Sequence, residues 1–164
     1  MATKLVTDPH ANGAQLTSSV PDLSPADAAQ LAARLYGIEV QAELLTSERD
    51  QNFRLAAAED RSYLLKVSNP SDPDEVVDFQ TACLDHIAGV DPACPVPCVL
   101  RTISGSNGDH IVLPDGRRCA VRLLTYLEGV QVKSTLRTSA QRVHLGTELA
   151  GLDLALRDFE HPAA

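Results

Sequence analysis

One lysine, Lys66, lies inside the apolar run Tyr63-Leu64-Leu65-Lys66-Val67. If the run is a strand, side chains alternate between faces: Tyr63, Leu65 and Val67 point one way, and Leu64, Lys66 and Ser68 the other. A charge among such neighbours costs desolvation, so Lys66 needs an anionic partner, either a carboxylate or a phosphate. The segment ahead of it, Thr46-Ser47-Glu48-Arg49-Asp50-Gln51-Asn52, is a polar bend between two strand-like runs, rich in side chains that fix a turn or hold an anion. A polar loop, then a hairpin turning at Glu59-Asp60, then a strand lysine is the outline of a site that grips nucleotide phosphates.

The elements that must position this lysine follow from pattern. Residues 1–22 are dotted with Asn, Gly, Ser, Thr and Pro and read as a disordered lead-in. Ser24-Pro25-Ala26-Asp27 is a helix start, Ala28, Leu31, Ala32 and Leu35 keep helical spacing, and Gly37 stops it. Ile38 to Leu45 reads as a first strand. After the lysine hairpin, Pro-Ser-Asp-Pro-Asp-Glu opens a helix over Asp74 to Ala88, in which Val76, Val77, Phe79, Gln80, Cys83, Leu84 and Ile87 give one broad apolar face. Three strands are expected next, over Cys98 to Ile103, His110 to Leu113 and Cys119 to Leu127, separated by Gly-rich and Pro-Asp-Gly turns. The expected fold is α+β: a mainly antiparallel sheet of five or six strands with one packed helix and flanking N- and C-terminal helices. Beyond Gly129 comes a polar connector, then a helix whose Val143, Leu145, Leu149, Leu152, Leu154 and Leu156 spread around its axis, as for burial on more than one side. That apolar surface implies docking on a partner, self-association, or a place in a larger domain.

Bulk composition narrows the function. The 164 residues carry 14 Lys+Arg against 22 Asp+Glu, a formal charge of -8, which argues against nucleic acid as the main partner. No run approaches the roughly 20 apolar residues of a membrane span, and no signal-peptide layout opens the chain, so the expected location is the cytoplasm. Cys83, Cys94, Cys98 and Cys119 lack the close paired spacing of zinc ligands and read as reduced, small apolar side chains.

The ordered set NFRLAAAEDRSYLLKVSN, DEVVDFQTACLDHI, VPCVLRTISGSNGDHIVLPDGRRCAVRLLTYLEG and LGTELAGLDLALRDFEHP resembles the N-terminal, nucleotide-binding lobe of the aminoglycoside phosphotransferase-like kinases. Within that family the likeness is to the hydroxylysine kinase and homoserine-kinase-type branch. The resemblance implies a protein-kinase-like N-lobe over residues 23–129, followed at 130–164 by a connector and the first helix of a C-terminal lobe. It implies ATP as the cofactor, with Lys66 on the α- and β-phosphates and Ser47 to Asn52 as the loop covering them. That loop has no glycine, so the side chains of Arg49, Gln51 and Asn52 stand in for backbone contacts. Leu124 falls at the back of the adenine pocket, Thr125 offers a backbone carbonyl and Leu127 a backbone N–H to adenine.

Two departures keep a second reading open. The helix glutamate that pairs with the lysine in many kinases has no match, and Gln80 is the nearest polar candidate to orient Lys66. The family's His-Gly-Asp catalytic loop and its metal-binding Asp do not occur in these 164 residues, so Mg2+ is expected only with a further lobe and no catalytic or metal-ligating residue is assigned. The chain is therefore expected to be either the ATP-binding lobe of a small-molecule kinase acting on an alcohol group, inactive by itself, or a kinase-like docking or regulatory module.

Overall fold

The computed structural model describes residues 20–164; the expected lead-in falls mostly on residues outside that range. Pro21, within it, is buried. Helix α1 runs Pro25–Tyr36, and Ser24 and Asp27 cap it reciprocally, each side chain taking the other's backbone N–H. Gly37 closes it at φ 67°, a left-handed conformation that most side chains resist.

The strands are β1 Gln41–Leu45, β2 Gln51–Ala56, β3 Ser62–Val67, β4 Val99–Leu100, β5 Asp109–Val112 and β6 Arg118–Thr125. They form one sheet in the order β1-β2-β3-β6-β4, with β5 also on β6 and every pairing antiparallel. The β2–β3 hairpin turns on Glu59 and Asp60, both at positive φ (60° and 54°), and closes with the Ala57 N–H on the Arg61 carbonyl at 2.8 Å.

Alternation divides the sheet into two unlike faces. Phe53, Leu55, Leu65, Val67, Val121 and Leu123 are fully buried and join Ala28, Leu31, Ala32 and Leu35 of α1 in the core. The opposite face is crossed by helix α2 (Asp74–Val90), which runs through Gly89 and stops before Pro92. Beside α2 lies helix α3 (Ser139–Leu156), reached through a short 3-10 turn at Val132–Ser134.

Several expected boundaries move. The strand expected over Cys98 to Ile103 is only Val99–Leu100, because the Thr102 N–H turns to the Ser106 carbonyl (2.9 Å) and the Ile103 N–H to the Leu35 carbonyl of α1 (2.9 Å). Of the cysteines, all free thiols, Cys119 is buried and Cys98 is exposed rather than covered. In α3 only Ala155 is buried, while Val143, Leu145, Leu149 and Leu154 are all more than half exposed. The expected burial on several sides does not occur among the described residues, where α3 packs chiefly against α2. Within that contact His86 Nε2 lies 3.0 Å from the Ala155 carbonyl of α3, and the segment just beyond α3 adds rings to it: Phe159 packs against Phe79 at 5.7 Å and His86 at 5.2 Å, and His161 bonds Asp78 at 3.2 Å. No helix among the described residues is long and apolar enough to cross a membrane.

Candidate functional site

Register builds the site. On the face opposite α1, Asn52 of β2, Lys66 of β3 and Arg122 of β6 stand directly across from one another in one row. Leu64 and Leu124 form the next row, so an apolar floor adjoins a polar ledge. The two cations are nearest neighbours on the sheet, and like charges at that spacing repel unless each has its own partners.

Their partners differ in kind. Lys66 donates from Nζ to Oδ2 of Asp50, a residue of the β1–β2 loop, and the two side chains keep 22% and 17% of their surface exposed. Both Asp50 oxygens are engaged, since Oδ1 accepts the Asn69 N–H at 3.0 Å. Asn69 in turn donates its side-chain amide to the Arg49 carbonyl at 2.9 Å, and the Arg49 guanidinium pairs with Asp72 at 2.6 Å. The loop is thus fastened to the segment that follows the lysine strand. Farther along, the Asn52 amide donates to the Ser47 hydroxyl at 3.2 Å, while Asn52 Oδ1 is buried without a hydrogen bond among the described residues.

Arg122 is only 3% exposed. Its Nη1 donates to the Val77 carbonyl (3.1 Å) and the Thr81 hydroxyl (3.0 Å), and its Nη2 to Gln80 Oε1 (2.8 Å), all on α2. Burial pushes the guanidinium's pKa down, and the negative charge of Asp50 pulls it back up. Here a sequence expectation is corrected: Gln80 does not orient Lys66 but accepts from Arg122, whose longer, five-donor fork reaches the helix from the neighbouring strand.

Gln51 is a second correction. It is 6% exposed on the α1 face, and its amide both donates to and accepts from the Leu23 backbone at 2.8 Å. Alternation along β2 places it with Phe53 and Leu55, so it fastens the entry to α1 and stands away from Lys66. Ser47, Arg49 and Asn52 are on the lysine side. Leu124 is buried opposite Leu64. Thr125 exchanges two bonds with Cys98, its N–H donating to the Cys98 carbonyl and its hydroxyl accepting the Cys98 N–H, each 2.9 Å. Leu127 is exposed just past the end of β6. Arg54 reaches over from β2, its guanidinium 5.0 Å above the Tyr126 ring and 2.8 Å from Glu128, and so holds the segment that leaves the sheet.

Asp50, Asn69, Arg54 and Arg122 were not singled out as site residues from sequence. Asp50 had a signal: the lysine needs an anion, and Asp50 is two residues before the one that faces it. Arg122 depends on the β3–β6 register, a pairing across some 56 residues that no local pattern states.

The arrangement can hold an anion. A lysine ammonium has three N–H donors and Lys66 spends one on Asp50, leaving a partly open cation above an apolar floor. The glycine-free loop offers side chains rather than close backbone N–H groups, and the donor set of Lys66, Ser47 and Arg49 fits phosphate oxygens.

Comparison with known proteins gives a family and a fold. The model of the APH phosphotransferase enzyme family matches residues 41–164. Hydroxylysine kinase of Danio rerio is 31% identical over 159 residues, covering 88% of this chain and 42% of that protein; hydroxylysine kinase of Mus musculus is 29% identical, again with 88% and 42% covered. The chain spans about two fifths of the length of these curated relatives. Two solved structures share its fold: amicoumacin kinase hAmiN in complex with AMP-PNP, Ca2+ and Ami (TM-score 0.66, 14% identity, 85% of this chain and 42% of that one), and a microcompartment-associated aminopropanol kinase (TM-score 0.62, 18% identity, 86% and 43%).

Proposed function

Because this chain belongs to the APH phosphotransferase enzyme family, we propose that it supplies the ATP-holding lobe of a kinase acting on an alcohol group of a small molecule. The observation that carries the reading is Lys66, a partly open ammonium placed by β3 between a loop carboxylate and an apolar floor. In this reading Lys66 grips the α- and β-phosphates, Ser47, Arg49 and Asn52 line the phosphate side, Leu124 backs the adenine, and Thr125 and Leu127 present backbone groups to its edge. ATP supplies the phosphoryl group that the kinase transfers. Mg2+, the catalytic base and the choice of acceptor belong to sequence that corresponds to the remaining three fifths of the relatives. The exposed leucines of α3 are then the surface on which that polypeptide, or a second copy of this chain, seats. The proposal places the protein in the cytoplasm, where ATP is at hand.

A docking or regulatory module is the competing reading, favoured by the loop without glycine and by the open face of α3. Calorimetric titration of the chain with ATP and with adenosine separates the two. Lys66→Met keeps the apolar stem and removes the charge, so ATP affinity should fall about tenfold, the size of one charge-assisted hydrogen bond, with adenosine affinity within about twofold of the original. Equal weakening of both ligands, or no ATP binding even with the relatives' C-terminal part supplied separately, would overturn the ATP reading in favour of docking.

A further inference from the structure

We propose that Asp50 is the positioning residue for Lys66: the carboxylate that sets the lysine for phosphate comes from the β1–β2 loop and not from helix α2. The inference rests on the nucleotide reading above and adds to it a residue and a direction of coupling. Every polar group that α2 might offer is turned elsewhere or lies at its exposed start. Asp74 pairs with His110 and Arg118, Asp78 with His161, and Asp85 with Arg101; Gln80 accepts from Arg122, and Glu75 is exposed in the first turn. Lys66 pairs with Asp50.

Asp50 is held as a positioning group should be. Its second oxygen takes the Asn69 N–H, three residues beyond Lys66 and just past the end of β3, so the carboxylate is fixed to the segment that leaves the lysine's strand and not only to the loop. The Asn69–Arg49 and Arg49–Asp72 bonds then fasten the loop backbone beside it. The two cations of the row have divided the work: Arg122 anchors α2 to the sheet, and Lys66 is anchored by the phosphate-side loop. Movement of α2 therefore leaves the lysine paired, whereas movement of the loop releases it.

Asp50→Asn isolates the charge. An asparagine oxygen can accept the Asn69 N–H or face Lys66, but not both, and in the first case its amide N–H groups point at the ammonium. Lys66 then swings to solvent, and the ordering that Asp50 supplied must come out of the binding free energy. Loss of the carboxylate also removes a repulsion toward phosphate, an effect of opposite sign. Because Lys66 is the cation nearest the open ledge, its release is expected to dominate.

The test titrates the whole chain and its Asp50→Asn, Asp50→Glu and Glu75→Gln variants with ATP and adenosine, and measures acylation of Lys66 by acetic anhydride, mapped by mass spectrometry, without nucleotide. Asp50→Asn should weaken ATP about fivefold, leave adenosine unchanged and speed Lys66 acylation severalfold; Asp50→Glu should recover part of both effects, and Glu75→Gln should match the original chain. ATP binding that is unchanged or tighter in Asp50→Asn would overturn the inference, marking Asp50 as a competitor for the lysine while the nucleotide reading stands. Faster acylation with no ATP binding by any variant would support the pairing and remove the nucleotide reading. An unchanged acylation rate overturns the pairing.

Discussion

The two faces of the sheet are made from the same strands yet solve opposite problems. On the α1 face, Phe53, Leu55, Leu65, Val67, Val121 and Leu123 are sealed in an apolar core, and its buried polar Gln51 is satisfied by the Leu23 backbone on both sides of its amide. On the α2 face, one residue along each strand, stand Asn52, Lys66 and Arg122, with Asn52 Oδ1 and Arg122 Nε buried and without hydrogen bonds among the described residues. A polar group buried without a partner costs about 1–3 kcal/mol. The α1 face is mostly apolar, although the Tyr36 hydroxyl is also buried there without a hydrogen bond among the described residues, whereas the α2 face gathers charged and amide side chains in one row, as sites that bind ligands do.

The sharpest way to break that contrast uses adjacent residues. Leu65 and Leu64 differ in face, the first fully buried and the second half-buried. Leu65→Ala should lower unfolding free energy by about 3 kcal/mol through lost burial and the cavity left behind, and Leu64→Ala by about 1 kcal/mol. Urea unfolding of the two variants gives the difference from the midpoints, provided the slopes agree. Equal losses would mean that the α2 face carries as much of the fold as the core.

Arg122→Met probes the polar face directly and should cost less, about 1–2 kcal/mol. The substitution gives up three hydrogen bonds to α2, but it also removes a charge that is expensive to bury and whose partners are all neutral oxygens. Hydrogen exchange should show α2 amides loosened in this variant and unchanged in Lys66→Met, because of the two cations Arg122 alone bonds the helix. Loosening of α2 by Lys66→Met would undo the division of roles between the two cations.

Much of the α1 face was legible in sequence, because its signals are local: Ser24, Pro25 and Gly37 punctuate α1, and two-residue alternation puts Leu65 and Val67 on one face, opposite Lys66. The lysine strand and a mainly antiparallel sheet of five or six strands follow from the same rule together with the turn signals, and the sheet has six. The partners on the other face were not legible, because each is a long-range choice. Whether Gln80 reaches Lys66 or Arg122 depends on which strand lies beneath α2, and β6 arrives some 40 residues after the helix begins. Gln51 escapes sequence reasoning for a simpler reason: it sits at the end of a polar stretch, yet it is the first residue of β2 and takes the parity of Phe53. Lys66 follows from the residues themselves and the family likeness adds its role, but that likeness points to a helix for the pairing carboxylate and so carries no information on Asp50.

The smallest expected effect tests the edge of the polar face, where α2 begins. Pro73 gives α2 no side-chain cap, and Asp74 in the first turn instead accepts from Arg118 at 2.7 Å and pairs with His110 at 2.9 Å. The Arg118 hydrogen bond, then that of His110, holds the Asp74 carboxyl below its ordinary value of 3.8. A carboxyl depressed in the folded state contributes stability that is present above the unfolded value and is lost as pH falls through the lower folded value. Both Asp74 and Arg118 are more than half exposed, so solvent screening keeps the contribution to less than about 0.5 kcal/mol. Asp74→Asn should therefore be slightly less stable than the original chain from pH 7 down to about pH 4, with the gap closing below that as the native carboxyl takes up its proton. Parallel thermal unfolding of the two chains across this range gives the gap, and a difference that persisted undiminished at pH 2 would assign the effect to the shape of the side chain rather than to its charge.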